Sequence, residues 1–308
     1  MIPLEVALAD YLRIRRALGY KLEREAGLLP GFIDFLGASG AVTVSTELAV
    51  AWARLPVRAH PVWWGQRLAL VRGFARYLQT LDPATEVPPA DVLPVHARRA
   101  TPFLYSETEV SSLIKAANRL RAPLMASTYA TVIGLLAVTG MRVGEVIRLD
   151  RPDVDLTDGF LTVRNSKFGK SREIPLHATT TEALQRHAEL RRRWIPRSGM
   201  ASFFVSTAGT RLFYSNVQDV FSRLTRSAGL HPRSASCRPR LHDLRHSFAV
   251  NTLLGWYRDG VDVQQRLPLL STYLGHVDPN STYWYLSASP ELFAIAAERL
   301  DSALGVLP

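Results

Sequence analysis

The stretch YLGHVDPNSTYWYL at residues 273–286 places three tyrosines close to one histidine. A phenol oxygen can attack a phosphodiester and leave a covalent phosphotyrosine, which conserves the energy of the broken bond for a later reversal. The turn DPNS at residues 278–281 indicates the start of a helix, in which Tyr283 and Tyr285 would point about 200 degrees apart. Both phenols therefore cannot face the same phosphate.

Two arginine motifs could bind such a phosphate. Arg142 follows Gly140 in TGMRVGEVIRL, at the mouth of a predicted helix. Arg245 lies one helical turn after His242 in LHDLRHSFA, so these two side chains share a face. Two guanidinium groups can clamp the non-bridging oxygens and neutralise the charge that grows in a pentavalent transition state.

Lysine and histidine side chains complete the set of groups that this attack needs. Lys167 and Lys170 lie in SKFGKSREIPL, on the turn of a predicted hairpin, where a lysine could protonate the leaving sugar oxygen. His242 and His276 could donate hydrogen bonds to the phosphate or move the proton of the nucleophile.

Each motif also has an ordinary structural explanation when it is taken alone. Arg142 could cap a helix or pair with Glu145, and a lysine on a turn is usually a solvated charge. His242 and Arg245 could form a polar helix face, and the aromatic residues 283–285 could belong to the core. Only the combination predicts phosphodiester chemistry.

The sequence predicts no metal and no cofactor. It has no carboxylate cluster suited to two magnesium ions, no GxxxxGK[ST] loop and no HExxH motif. Cys237 is the only cysteine, which excludes an intrachain disulfide and indicates a reducing compartment.

In their order along the chain, these motifs resemble those of the tyrosine recombinase (phage integrase) family. The matching residues are Arg142 in TGMRVGE, Lys167 in SKFGKSREIPL, His242 and Arg245 in HDLRH, His276 in LGH, and a tyrosine nine residues further on. The resemblance covers the whole chain.

The resemblance implies a role for each matching residue. Arg142 and Arg245 would bind the scissile phosphate, and Lys167 would be the general acid for the 5′ oxygen. His242 and His276 would hydrogen-bond the phosphate and assist proton transfer.

The nine-residue step from His276 selects Tyr285 as the nucleophile and leaves Tyr283 as a packing or DNA-contacting neighbour. The segment between Gly260 and the LGH motif is longer than in the family's common form. In this respect the chain is more similar to transposon-encoded members of the family.

Four neighbouring residues receive lesser roles. Lys170 competes with Lys167 for the role of general acid. Glu145 and Asp243 would orient the adjacent helices and arginines, and His246 would be structural.

The elements that must position these residues fall into two regions. Residues 1–81 show apolar positions at intervals of three and four, which predicts helices throughout, and residues 82–101 are proline-rich and read as an extended linker. Residues 102–308 combine helices with two short strands around SKFGKS. We expect a mainly α protein with a small β-hairpin or sheet. The resemblance implies a helical core-binding domain of SAM-like fold at 1–81 and a tyrosine recombinase catalytic domain at 102–308.

The charge balance favours a polyanionic partner. Lys and Arg number 37 against 27 Asp and Glu, which gives a net charge of +10. With the resemblance, this predicts double-stranded DNA held between the two domains. Candidate phosphate contacts are Arg13, Arg16, Arg67, Arg72, Arg76, Lys170, Arg172 and Arg240. For those of the first domain, a solvated helix face is the alternative.

The resemblance also implies how the protein assembles and where it works. Strand exchange needs four cuts, so a homo-tetramer, or a hetero-tetramer with related recombinases, is expected on DNA. The apolar face of the last helix, PELFAIAAERLDSALG, would either fold back or dock on a neighbouring protomer.

No signal peptide or membrane span is expected, and the predicted location is the cytoplasm, at the nucleoid of a prokaryote.

The predicted function is therefore site-specific DNA recombination by a mobile-element integrase, without metal, through a 3′-phosphotyrosine. A type IB topoisomerase would use the same residues but reseal the same strand. A DNA-binding accessory protein of the same fold would lack catalysis altogether. The target sequence, and the choice among integration, excision, resolution and transposition, do not follow from these motifs.

Overall fold

The computed structural model describes residues 3–95, 100–164, 171–196 and 199–276, and parts of the C-terminal stretch, namely 278, 280–287, 291–292, 294–295 and 297–298. The chain divides into two compact units, residues 1–99 and 100–308. The division falls inside the segment predicted as a linker. The exact domain bounds stay a prediction, and the two units are described separately.

The first unit is helical, as expected. Its helices are α1 (Leu4–Ala17), α2 (Glu23–Ala38), α3 (Thr46–Arg54) and α4 (Pro61–Gln79). Ser45 caps α3 by accepting a hydrogen bond from the backbone N–H of Leu48, 3.3 Å away. The helices enclose a core in which Phe32 and Trp52 meet edge to face, with their ring centroids 5.2 Å apart.

The segment that follows α4, residues 82–95, packs on this first unit as an extended arm. Arg72 of α4 is buried, and it donates hydrogen bonds of 2.7 Å from Nε to the carbonyl of Pro88 and from Nη2 to the carbonyl of Pro89. The guanidinium group of Arg72 is therefore engaged within the first unit, and its contact with DNA stays a prediction. The first part of the expected linker is a packed part of the unit.

The second unit contains eight described α-helices and a three-stranded sheet. The helices are α5 (Glu107–Asn118), α6 (Pro123–Thr139), α7 (Val143–Arg148), α8 (Ala178–Trp194), α9 (Tyr214–Ser227), α10 (Asp243–Arg258), α11 (Val263–Leu274) and α12 (Asn280–Tyr283). Short 3-10 turns occur at Arg151–Asp153 and Trp284–Ser287. Helix α6 is buried on most sides and forms the centre of the unit, as its apolar sequence predicts. Ser106 and Glu109, three residues apart in sequence, form a capping box that starts α5.

The sheet consists of β1 (Val154–Asp155), β2 (Phe160–Val163) and β3 (Arg172–Pro175), antiparallel and in that order. Leu161 pairs with Ile174, and both are fully buried against the helices. The two strands of the predicted hairpin are thus confirmed. Lys167 and Lys170 belong to residues 165–170, which lie outside the described residues.

Within the described ranges, no helix is both long enough and apolar enough to cross a membrane. Most of the predicted last helix, including its apolar positions Phe293, Leu300 and Leu304, lies outside the described residues.

Candidate active site

Arg142 stands at the junction between the central helix and α7. Gly140 ends α6 with a φ of +60°, and Arg142 then precedes the first residue of α7. Its backbone N–H donates to Glu145 Oε2 over 2.9 Å, and its Nη1 donates to Glu145 Oε1 over 3.0 Å. Its Nη2 donates to the carbonyl of Gly275 over 3.1 Å. The side chain still keeps 31% of its surface exposed, so the guanidinium group is fixed in place and yet accessible.

Glu145 is a buried carboxylate shared between two arginines. Besides Arg142, it accepts hydrogen bonds from Nη1 and Nη2 of Arg172, at 3.2 and 2.9 Å. Burial alone would raise the pKa of Glu145, but Arg172 and Arg142 together lower this pKa to about 2. The carboxylate is therefore ionised at neutral pH and holds both guanidinium groups.

Arg172 begins strand β3, and its side chain points into the site. It was a candidate DNA contact, but its side chain is only 12% exposed and faces Glu145. Sequence spacing gives no sign of this pairing, because Arg172 and Glu145 lie 27 residues apart. The structure makes Arg172 a supporting residue of the site.

Gly275 of the LGH motif allows these arginines to approach the C-terminal end of α11. Its φ is +68°, a conformation that disfavours residues with a side chain. A Cβ at this position would lie 2.9 Å from Nη1 of Arg172 and 3.6 Å from Nη1 of Arg142. The glycine is thus favoured twice, by its own backbone conformation and by the close approach of the Arg172 guanidinium group.

Arg245 is the most deeply placed of the candidate phosphate ligands, with 2% of its surface exposed. Its Nη1 donates to the carbonyl of Gly140 and its Nη2 to that of Leu274, both over 2.8 Å. These carbonyls lie at the C-terminal ends of α6 and α11, where helix dipoles favour a cation. Burial lowers the pKa of Arg245 to about 10, against the opposing effects of Tyr285 and Glu145, so the group stays charged at neutral pH.

His242 lies immediately before α10 with its ring close to these arginines. The protein packed around the ring, and then the charges of Arg245, Arg142 and Arg240, lower the pKa of His242 to about 4. Without bound anion, the imidazole is neutral at pH 7 and can donate one hydrogen bond.

His276 follows the turn at Gly275. Its Nδ1 lies 2.7 Å from the hydroxyl oxygen of Thr282, a residue that sequence reasoning missed. Burial, together with Arg245 and the other arginines of the site, lowers the pKa of His276 to about 4. His276 is therefore also neutral at pH 7. Thr282 belongs to none of the motifs. In the sequence, its only link to His276 is that it lies six residues further on.

Tyr285 lies on the 3-10 turn that follows α12 and is 2% exposed. Its ring lies nearly parallel to that of His276, with the centroids 5.9 Å apart, and its phenol is adjacent to Arg245. Tyr283 is 51% exposed, so the predicted divergence of the two tyrosines is confirmed. The change from α-helix to 3-10 turn after Tyr283 was not predicted, since it depends on tertiary packing around the ring.

The structure therefore brings five of the six predicted catalytic residues together. They are Arg142, His242, Arg245, His276 and Tyr285. The sixth, Lys167, lies outside the described residues. Their chemical roles stay predictions, but the arrangement offers two fixed cations, two neutral imidazoles and one phenol around one site.

The other candidate DNA contacts differ in how available they are. Arg240 donates twice to the buried Asp243 but keeps 43% of its side chain exposed. Arg67 donates to the carbonyl of Trp52 and stacks on the indole of the same residue, 3.7 Å from its centroid. Arg13, Arg16 and Arg76 are exposed, and for them a phosphate contact stays a prediction.

Comparisons with known proteins show which family the chain resembles. The model described as "Phage integrase family" matches residues 104–291. A Sinorhizobium fredii protein named as the integrase/recombinase y4rB is 43% identical, over 96% of this chain and 96% of its own length. The tyrosine recombinase XerC of Chlorobaculum parvum is 31% identical over 71% of this chain and 67% of its own. The solved structure of the Tn1549 transposon integrase with circular intermediate DNA covers 97% of this chain and 100% of its own, with a TM-score of 0.64 and 18% identity.

Proposed function

Because the chain belongs to the phage integrase family, we propose that it recombines DNA at specific sites by a covalent route in which Tyr285 attacks a phosphodiester. The observation that carries this proposal is the position of Tyr285, buried beside Arg245 in a site whose other arginine is already fixed. The products of the attack would be a 3′-phosphotyrosine and a free 5′ hydroxyl.

Arg142 and Arg245 would bind the two non-bridging oxygens. Each already uses N–H groups on protein acceptors, so those that remain can point only in a restricted range of directions. Such preorganised donors stabilise a transition state without having to reorient during the reaction. The charge of the phosphate would be met by guanidinium groups, and we therefore propose chemistry that needs no metal ion.

The two histidines would serve the proton transfers. In the free protein both are neutral, and a bound phosphate would raise the pKa of each by opposing the arginine charges. By resemblance to the family, Lys167 would protonate the 5′ oxygen as it leaves. Rejoining would be the same steps in reverse, with a 5′ hydroxyl from the other duplex as the nucleophile.

We further propose that the protein acts for a mobile element, on DNA at the nucleoid, and as a tetramer. The similarity to the Tn1549 transposon integrase over nearly the whole chain supports the first part. Exchange between two duplexes requires four strand cuts, and four active sites supply them.

The test is covalent capture on a nicked suicide duplex, built from sequence that the protein selects from a random DNA library. Wild-type protein and Tyr283→Phe should form an adduct with chelator present, whereas Tyr285→Phe should bind DNA without forming one. If Tyr285→Phe formed an adduct as Tyr283→Phe does, the nucleophile would be another residue. Relaxation of plasmids that lack the selected site would indicate a topoisomerase instead.

A further inference from the structure

The ring of His246, on the first turns of α10, contacts three other rings of the site. Its centroid lies 4.8 Å from that of His242, 4.9 Å from that of Trp284 and 5.4 Å from that of Tyr285. We name these four residues the ring cluster. Sequence reasoning treated His246 as structural, yet it is the member that touches both the predicted nucleophile and a predicted phosphate ligand.

Hydrogen bonds to Asp243 hold the first turn of α10, which carries His246. Asp243 is fully buried and accepts hydrogen bonds from Nε and Nη2 of Arg240, both over 2.9 Å. Its Oδ1 lies 4.0 Å from Nε2 of His246, which is beyond hydrogen-bonding distance. Ser247, the next residue, donates to the carbonyl of Asp243 over 2.8 Å. These hydrogen bonds fix the first turn of α10, from which the ring of His246 projects into the ring cluster.

Tyr285 depends on such neighbours for its orientation. It lies on a four-residue 3-10 turn, which by itself gives a side chain little restraint. The ring of His276 lies at 22° to that of Tyr285, and the ring of His246 at 61°. One neighbour is stacked and the other meets the phenol ring at a steep angle, and together they restrict its rotation.

We infer that His246 is a positioning residue, whose ring holds the phenol of Tyr285 in line with a phosphate bound by Arg142 and Arg245. This inference rests on the proposed function. His246 acts through the shape of its ring, because its contacts with Trp284 and Tyr285 are ring against ring. A displacement of about 1 Å at a reacting atom can reduce a rate by about a hundredfold, so a lost ring contact should be measurable.

The experiment compares His246→Ala with the ring-preserving His246→Phe. Single-turnover covalent capture is measured at saturating suicide duplex, and DNA affinity is measured separately. We expect His246→Ala to lower the capture rate by about tenfold or more, with the DNA dissociation constant changed by less than about twofold. We expect His246→Phe to stay within about threefold of wild type, which also tests the inference should the alanine variant fold poorly.

A second substrate separates nucleophile positioning from proton donation. A bridging 5′ phosphorothiolate at the scissile position leaves as a thiolate and needs no general acid. We expect the defect of His246→Ala to persist on this substrate, because the position of the attacking oxygen is unchanged by the leaving group. His187→Ala is the matched control, since His187 is fully buried against Phe203 and Phe204, hydrogen-bonded to Ser127, and should affect stability but not the capture rate.

Three results would overturn the inference alone, while wild-type capture continued. They are a wild-type rate for His246→Ala, a rate for His246→Phe as low as that for alanine, and rescue of His246→Ala by the phosphorothiolate. Absence of any adduct from the wild-type protein on its selected DNA would instead overturn the proposed function, and the inference with it.

Discussion

Glu145 connects α7 to strand β3, and its replacement by glutamine tests whether one buried charge holds the phosphate-binding arginines. Glutamine has nearly the same shape and keeps one acceptor oxygen, but it carries no charge. The carboxylate of Glu145 is 2% exposed, and it faces Arg172, which is 12% exposed. The substitution therefore leaves one buried guanidinium group without its counter-charge.

The size of the effect follows from the pKa of this carboxyl group. Burial acts to raise the pKa of Glu145, but Arg172 and Arg142 lower it from 4.5 to about 2. This difference corresponds to roughly 3 kcal/mol of folding free energy at neutral pH. We expect Glu145→Gln to reduce the free energy of unfolding of the second unit by about this amount at pH 7, measured by urea unfolding followed by tryptophan fluorescence.

The loss of stability in Glu145→Gln should become smaller as the pH falls. The pKa of Glu145 is lower in the folded state than in the unfolded state, so its stabilisation is complete above about pH 5 and disappears as the pH falls towards about 2. The difference between wild type and Glu145→Gln should therefore fall to less than about half of its pH 7 value at pH 3. An equal difference at both pH values would refute the charge argument.

The double variant Glu145→Gln with Arg172→Met supplies the control. Removing the buried cation as well as the carboxylate should restore part of the lost stability, because methionine leaves no unpaired charge. Strictly additive losses would show that the two side chains do not interact as the structure indicates.

Three further outcomes follow from the geometry. Gly275→Ala should lower the covalent capture rate more than it lowers DNA affinity, because its Cβ would displace the guanidinium group of Arg172, which shares Glu145 with Arg142; an unchanged rate would contradict the close approach. Arg72→Ala should lower the thermal midpoint of the first unit, whereas the exposed Arg76→Ala should leave the midpoint unchanged and alter only the salt dependence of DNA binding. By NMR titration, the pKa values of His242 and His276 should rise from about 4 when an inorganic phosphate analogue such as vanadate binds, and identical titrations with and without the anion would refute the proposed phosphate site.

The sequence could predict the fold class because the relevant signals are local. The helical period of the first unit, the capping box at Ser106 and the strand pair around residues 165–170 each depend on neighbouring residues. The divergence of Tyr283 and Tyr285 was predictable for the same reason, since any helix-like turn separates residues that lie two apart.

The sequence could not show the long-range contacts of two arginines, one with backbone carbonyls and one with a carboxylate. Arg72 was predicted to face DNA, but two carbonyls of the arm at residues 82–95 accept its hydrogen bonds. Arg172 was predicted in the same way, and its guanidinium group donates to the carboxylate of Glu145. An arginine on a basic helix or strand looks the same in sequence whether it faces solvent or a distant acceptor, so composition cannot decide between the two.

The phosphate site itself shows why its exact form could not be read from the motifs. The acceptors that orient Arg142 and Arg245 are mostly backbone carbonyls, those of Gly140, Leu274 and Gly275, and a carbonyl has no residue type. The motif glycines matter here because they end α6 and α11 where those carbonyls are needed. The arginines are thus oriented by folding, before any DNA is bound. The two long side chains therefore lose their conformational entropy when the protein folds. The free energy of phosphate binding is not reduced by that loss.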